Sequence, residues 1–227
     1  VGRALEELSE LAALEGDYRL AYDRLRERND ALDCYQTDRS ERHAVTLQAI
    51  YAVEVERQHR LVLEALADTD PLTTLYNRRY MSRKLTQLVA GPVALALVDI
   101  DHFKQINDRF SHEAGDRVLT RLATMLNAHV ARLGRAESFV ARIGGEEFLL
   151  AMPGVGRGAA LDCCERLRAA VETRSWEDLG ADVHVTVSVG LAVERAGGAD
   201  ASTLLGRADA QLYNAKRQGR NRVVSET

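Results

Sequence analysis

Phe139-Val140-Ala141-Arg142-Ile143-Gly144-Gly145-Glu146-Glu147-Phe148-Leu149-Leu150-Ala151 decides how this chain folds. Apolar runs on either side of Gly144-Gly145-Glu146-Glu147 read as a strand, a tight turn and a second strand. Paired glycines admit positive φ and let the backbone approach a ligand, while two glutamates put hard oxygen donors at the turn. That combination outlines a site for phosphate and a divalent cation. A second acidic position lies upstream, where Val93-Ala94-Leu95-Ala96-Leu97-Val98 runs into Asp99-Ile100-Asp101, so a carboxylate emerges at the end of a buried strand. Two such turns can share one metal.

Around this hairpin the hydrophobic pattern predicts helix over 78–89, strand over 93–100, helix over 113–133, strand over 139–143 and strand over 147–152. A helix over 157–174, a strand over 183–189, a helix over 201–217 and a short strand at Val223-Val224 follow. Strands alternate with helices around one central hairpin. The expected fold class is therefore α+β: a palm-like or ferredoxin-like, mainly antiparallel sheet flanked by helices. No G-x-G-x-x-G or Walker A stretch competes with this reading.

Upstream of Pro71 the chain reads as all helix, with no proline and with glycine only at Gly2 and Gly16. Leu5, Leu8, Leu11 and Ala12 make one apolar face, Gly16-Asp17 breaks the helix, and Tyr18, Ala21, Tyr22 and Leu25 make a second, which predicts a helical hairpin. From Arg39 to Ala67 a longer helix carries Leu47, Ile50, Val53, Leu61 and Leu66, with Glu54 and Arg57 interrupting the seam of an imperfect coiled coil. Pro71 pushes Asp70 out of helical geometry and marks a boundary. The expected organisation is a hairpin over 1–38, a signalling helix over 39–69 and a catalytic domain over 70–227.

Thirty basic against 34 acidic side chains leave a net charge of −4, which argues against a nucleic-acid polymer as partner and leaves room for a small phosphorylated ligand. The three cysteines show no C-x-x-C spacing and read as reduced thiols, which points to the cytoplasm. The apolar runs fall short of the ~20 residues that cross a bilayer, so no membrane contact is expected of this piece. The lack of an initiator Met points to a segment of a longer chain whose N-terminal regulatory region lies elsewhere.

With these pieces in order, the stretch from Asp70 to Asn221 resembles the GGDEF family of diguanylate cyclases. The likeness rests on Asp70-Pro71-Leu72-Thr73 with Asn77-Arg78-Arg79, Asp99-Ile100-Asp101-His102-Phe103-Lys104 with Asn107-Asp108, and His112 with Gly115-Asp116. It continues through Arg142 to Phe148, Val187-Ser188-Val189-Gly190, and Asp209 with Tyr213, Lys216 and Gly219-Arg220-Asn221. The resemblance implies condensation of two GTP molecules into cyclic di-GMP with release of two pyrophosphates, across a homodimer in which each domain holds one GTP. It implies Mg²⁺, with Mn²⁺ as the alternative ion, on Asp99, the Ile100 carbonyl and Glu146. Glu147 either joins the metal or receives the proton of the attacking 3′-hydroxyl, and Lys104 stabilises the transition state. Phe103, Asn107, His112 and Asp116 would bind substrate, with Asn107 and Asp116 reading guanine. Lys216 and Arg220 would grip the terminal phosphates. Taken singly, Asn107 and Asp116 read as helix caps, Lys104 as a surface lysine, His112 as a packing histidine on a loop, and Lys216 with Arg220 as a basic helix end.

The family's inhibitory R-x-x-D site stands here as Arg135-Ala136-Glu137-Ser138, with Ser138 in place of the aspartate, so weak product inhibition is expected. Thr74 stands where glycine is common. Leu14-Glu15-Gly16-Asp17-Tyr18-Arg19-Leu20-Ala21 also resembles the middle of a tetratricopeptide repeat, with Tyr18 and Ala21 packing between helices. Dimerisation is expected through the GGDEF faces, the 39–69 helix or both. The rival to a cyclase is a catalytically silent domain that binds GTP or cyclic di-GMP as a sensor or scaffold.

Overall fold

Val93–Ile100 forms strand β2, and all eight of its residues are buried. A strand buried on both sides needs two covering layers, and successive side chains of a strand alternate between them. Ala94, Ala96, Val98 and Ile100 belong to one core; Val93, Leu95 and Leu97 belong to a second. The computed structural model describes residues 2–179, 183–195, 198 and 200–226; the side chains of residues 40–44, 61–66 and 178 lie outside that description.

Contacts divide the chain into Val1–Glu64 and Ala65–Thr227. In the first unit, α1 (Gly2–Leu14) turns at Gly16, φ +86°, into α2 (Tyr18–Asp68), whose first turn is capped by Asp17 Oδ1 accepting from the Leu20 amide at 3.0 Å. The expected hairpin is present, and it closes on the small members of the expected faces rather than the large ones. Ser9, Ala12 and Ala21 are buried, whereas Leu8, Leu11, Leu14, Tyr18 and Tyr22 are exposed. Small side chains let the helices approach, and Ser9 Oγ donates to the Ala21 carbonyl at 2.9 Å. The expected change of helix near residue 38 does not occur, because no proline or glycine interrupts residues 18–68 and α2 is a single helix of 51 residues. With Tyr18 exposed and α2 of that length, the tetratricopeptide likeness finds no support. Of the expected seam, Leu47, Ile50 and Val53 are exposed, and Leu61 and Leu66 lie outside the described side chains.

The second unit is a six-stranded sheet in the order β1-β3-β4-β2-β5-β6, with β1 (Tyr76–Asn77), β3 (Phe139–Arg142), β4 (Glu147–Pro153), β5 (Val187–Glu194) and β6 (Val223–Ser225) around β2. The inner pairings are antiparallel; only the edge pairs β1/β3 and β5/β6 are parallel. Helices α4 (Phe103–Phe110), α5 (His112–Ala131) and α6 (Arg157–Glu172) share one core with the sheet, and α3 (Arg78–Leu88) and α7 (Ala201–Arg217) share the other. The α+β expectation holds.

Three elements depart from the sequence pattern. Helix α4 and strand β1 have no counterpart in that pattern, because eight and two residues are too short for a periodic signal. The strand expected over 183–189 sits at Val187–Glu194. Gly190 reads as a strand end in sequence, yet it lies mid-strand because α7 crosses directly over it: a Cβ there would run into the backbone of Ala208 and Leu212. Residues 183–186 form no ladder, although Val183 and Val185 are buried.

The turn that leads into this unit is built on Asp70, whose Oδ1 accepts from the Thr73 amide at 2.9 Å and from Thr73 Oγ1 at 2.7 Å. It forces Thr74 to φ +59°, a conformation that a β-branched residue adopts only under strain. Thr74→Gly is therefore expected to raise unfolding free energy by about 0.5–1 kcal/mol, the relieved strain less the extra chain entropy of glycine. Urea denaturation measures it, and equal or lower stability would refute the strain.

Candidate functional site

Alternation along β2 puts Asp99 on the α3/α7 face, in line with Val93, Leu95 and Leu97. Register places it opposite Glu147 of β4, which shares that face with Leu149 and Ala151. Ile100 turns to the other core while its amide donates to the Glu146 carbonyl at 3.4 Å, tying the end of β2 to the Gly144–Glu146 turn. Helix α7 delivers Lys216, whose Nζ lies 2.7 Å from Asp99 Oδ2. Burial pushes the Asp99 carboxyl up to about 6; Lys216 works against the rise, and Glu146 and Glu147 add to it by charge repulsion.

Arg142 fixes the turn itself. Its Nε and Nη2 donate to the Gly145 carbonyl at 3.1 and 2.8 Å, and its Nη1 donates to Asp70 Oδ1 at 3.1 Å. The Asp70 carboxyl, which burial alone would raise, is held below its usual range by Thr73 and Arg142. Arg142 was legible only as part of a motif. Its role needed the 72-residue separation between it and Asp70 to be closed by the fold. The two glycines do not work as expected, since neither has positive φ. A Cβ at Gly144 would meet only Glu147 Oε2, at 2.7 Å, which that flexible side chain can relieve by turning aside, and Gly145 leaves its outer side open.

On the opposite side of β2, a left-handed His102, φ +57°, starts α4, and Ser111 starts α5 by accepting from the Ala114 amide at 3.2 Å. Helices α4 and α5 touch where Gly115 has no side chain, since a Cβ there would collide with Asn107 Oδ1 and crowd Phe103. Asn107 and Phe103 thus converge on the first turn of α5, which also carries His112 and Asp116, both exposed. His112 is the first helical residue and not a loop residue, and neither Asn107 nor Asp116 is a cap. Lys104 is exposed on the first turn of α4.

Beside Glu147, a cavity of about 370 Å³ opens between α3 and α7, lined among others by Arg78, Leu97, Ser202 and Asp209. It brings together two motif positions, Arg78 and Asp209, to which sequence reading attached no role. At the far end of the hairpin, Arg135 to Ser138 form a turn closed by the Ser138 amide donating to the Arg135 carbonyl at 3.0 Å. Ser138 Oγ is buried without a hydrogen-bond partner among the described residues.

Among the described residues no three His, Cys, Asp or Glu side chains are gathered into a ready-made metal cage. The donor set of Asp99, the Ile100 carbonyl and Glu146 nevertheless fits a hard divalent ion. Burial raises the Asp99 pKa, Lys216 opposes that rise, and Glu146 and Glu147 add smaller contributions to it, so a divalent cation would relieve both the desolvation and the repulsion. A carboxyl that titrates near 6 when folded and near 3.8 when unfolded adds stability that is complete below pH 3.8 and lost as pH rises through 6. Metal-free protein is therefore expected to gain thermal stability as pH falls from 7 to 5. Asp99→Asn should flatten that slope, and an unchanged slope in the variant would assign it to other groups.

The profile of the family "Diguanylate cyclase, GGDEF domain" matches residues 67–222. The diguanylate cyclase DgcP of Pseudomonas aeruginosa is 42% identical over 161 residues, covering 68% of this chain and 23% of that protein. The response regulator PleD of Caulobacter vibrioides is 41% identical over 169 residues, covering 71% of this chain and 36% of that protein. The chain thus spans about a quarter to a third of these relatives. The coiled coil and GGDEF domain of DgcB from Caulobacter crescentus, in complex with c-di-GMP, superposes with TM-score 0.71 at 32% identity, covering 81% of this chain and 98% of that one. Diguanylate cyclase SiaD of Pseudomonas aeruginosa, in complex with its activator SiaC, superposes with TM-score 0.74 at 32% identity, covering 99% of this chain and 87% of that one. A profile match over most of the chain, a carboxylate pair facing a lysine at the strand ends, and a helix pair that meets at Gly115 agree: this chain belongs to the GGDEF-domain family of diguanylate cyclases.

Proposed function

We propose that this chain condenses two GTP molecules into cyclic di-GMP, the 3′-hydroxyl of each attacking the α-phosphate of the other and pyrophosphate leaving. The observation that carries this reading is the Lys216–Asp99 ion pair set against the Glu146-Glu147 turn at the ends of β2 and β4. A bound Mg²⁺ or Mn²⁺, held by Asp99, the Ile100 carbonyl and Glu146, would neutralise charge on the triphosphate. Lys216 already faces Asp99 and joins Arg220 in gripping the β- and γ-phosphates; Lys104 adds positive charge at the reacting phosphate. Glu147, on the opposite face from Phe148, accepts the proton of the incoming 3′-hydroxyl. Asp116 accepts from guanine N1–H and the 2-amino group, and Asn107 completes the contact from α4; adenine offers neither donor, which excludes ATP.

Each domain binds one GTP, so two must face each other, and proximity makes dimerisation part of the mechanism. The exposed Leu47, Ile50 and Val53 of α2 supply an apolar stripe for pairing two copies. Similarity to SiaD across both units supports a regulatory role for the helical part and a protein activator as its partner. Among the described residues no helix is long and apolar enough to cross a membrane, and we place the reaction in the cytoplasm, where GTP is available.

Incubation of the chain with GTP and Mg²⁺, with nucleotides resolved by chromatography, tests the reading. Cyclic di-GMP should form from GTP and not ATP, and Glu146→Ala and Glu147→Ala should each lower the rate about 10²-fold or more. Added product should inhibit weakly, given Ser138. GTP that binds but stays unconverted even when two chains are joined artificially would instead assign a sensor or scaffold.

A further inference from the structure

Helix α7 ends in a turn that L-residues disfavour. The chain passes through Gly219 (φ +115°), Arg220 (+63°) and Asn221 (+45°), three consecutive residues at positive φ. Gly219 closes the helix in a Schellman arrangement, with the Arg220 amide donating to the Ala215 carbonyl at 3.0 Å. Closing a helix needs one residue at positive φ; Arg220 is strained there, Asn221 tolerates the region better, and a run of three persists only where its surroundings hold it.

Those surroundings are specific. The Asn221 amide donates to Asp101 Oδ2 at 3.0 Å. Its side-chain Oδ1 accepts from Arg168 Nη1 at 2.9 Å, and its Nδ2 donates to Glu172 Oε1 at 2.6 Å. Arg168 and Glu172 are paired along α6 at 2.7 Å. Arg168 first and Asn221 second hold the Glu172 carboxyl below its usual range. Asp101 is only 4% exposed, and it also accepts from Thr186 Oγ1 at 2.7 Å and Ser188 Oγ at 2.6 Å. One buried carboxylate, two residues beyond Asp99, therefore bonds β5 and the C-terminal turn to the end of β2. Alternation explains its place: Asp101 continues the parity of Asp99, and Ser188 lies on the same α7-facing side as Gly190.

We propose that Asp101 and Asn221 are positioning residues for Arg220, locking the left-handed turn, four residues past Lys216, so that the guanidinium is directed to the phosphate end of the site. This rests on the assignment of Arg220 to the terminal phosphates. Relaxation of Arg220 and Asn221 to ordinary negative φ would redirect the arginine, while the guanine contacts on α4 and α5 would be untouched. The lock thus acts on the triphosphate alone, and it ties the phosphate grip to the strand that carries the metal donors.

The test compares dissociation constants of 3′-deoxy-GTP, which cannot condense, and of GMP, both with Mg²⁺, by calorimetry. Wild type should bind 3′-deoxy-GTP more tightly than GMP. Asn221→Gly, which relaxes the strain but deletes both side-chain bonds, should weaken 3′-deoxy-GTP about tenfold and leave GMP within about twofold, the scale of one lost charge-assisted contact. Arg220→Ala should do the same, and the double variant should lose no more than Arg220→Ala alone. Asp101→Asn should follow Asn221→Gly, and where its folding fails the Asn221 arm decides. Glu172→Gln, which keeps an acceptor for Asn221, should bind like wild type. Equal weakening of both nucleotides, additive losses in the double variant, or an unchanged Asn221→Gly would overturn the positioning role. A wild type without preference for 3′-deoxy-GTP over GMP would overturn the phosphate assignment of Arg220 and this role with it.

Discussion

Asp99 sits where a fully buried strand ends, and the remainder of the site is arranged around the cost of that charge. A carboxylate at the edge of two apolar cores loses most of its hydration, and neighbouring Glu146 and Glu147 repel it. Lys216 is the counter-charge, and it can reach Asp99 only because α7 lies close against β5. That approach depends on Gly190, where any side chain would hold the helix away. On the proposed reading, with Lys216 gripping phosphate and Asp99 holding a cation, ligand binding would replace this ion pair, each partner passing to a stronger charge.

Strand parity distributes the chemistry between the two faces of the sheet. Val93, Leu95, Leu97, Asp99 and Asp101 lie along one side, so Asp99 meets α7 and Asp101 meets the turn that ends it. Phe148 turns into the other core, while Glu147 looks toward the cavity between α3 and α7. Beyond β2, α4 and α5 bring Phe103, Asn107 and Asp116 to a separate end of the site. On the proposed reading, phosphate, cation and base contacts thus come from different layers. The backbone bonds of Arg142 to the turn, and of Asp101 to the C-terminal residues, keep those layers in register.

The domain core was legible because its signals are long and periodic. Strand β2 and helix α7 have the boundaries that hydropathy predicts, and the central hairpin is where the apolar runs place it. What was not legible is short or set by distant contacts. Helix α4 has eight residues and too few turns to show a period. Strand β5 is displaced from the expected run because ladder bonding, not residue type, chose between two adjacent valine-rich stretches. In the N-terminal unit the expected faces held Ala12 and Ala21 but not Ser9, and most of their large side chains are exposed. The helices meet through serine and alanine, whose small volume permits contact but gives hardly any hydrophobic signal.

By itself the sequence determined the order of elements, the mainly antiparallel sheet and the family motifs, because hydrophobic periodicity and turn chemistry are local properties of the chain. It also determined that Asp99, Glu146 and Glu147 stand at strand ends, since each succeeds or borders an apolar run. Only the tertiary structure decided which of these carboxylates share a face and which cation meets them. It likewise decided why Gly190 is needed for the close approach of α7, and why Asp101 bonds a residue 120 positions away. Those outcomes depend on strand register and helix approach, which arise when segments remote in sequence bury their apolar faces against each other.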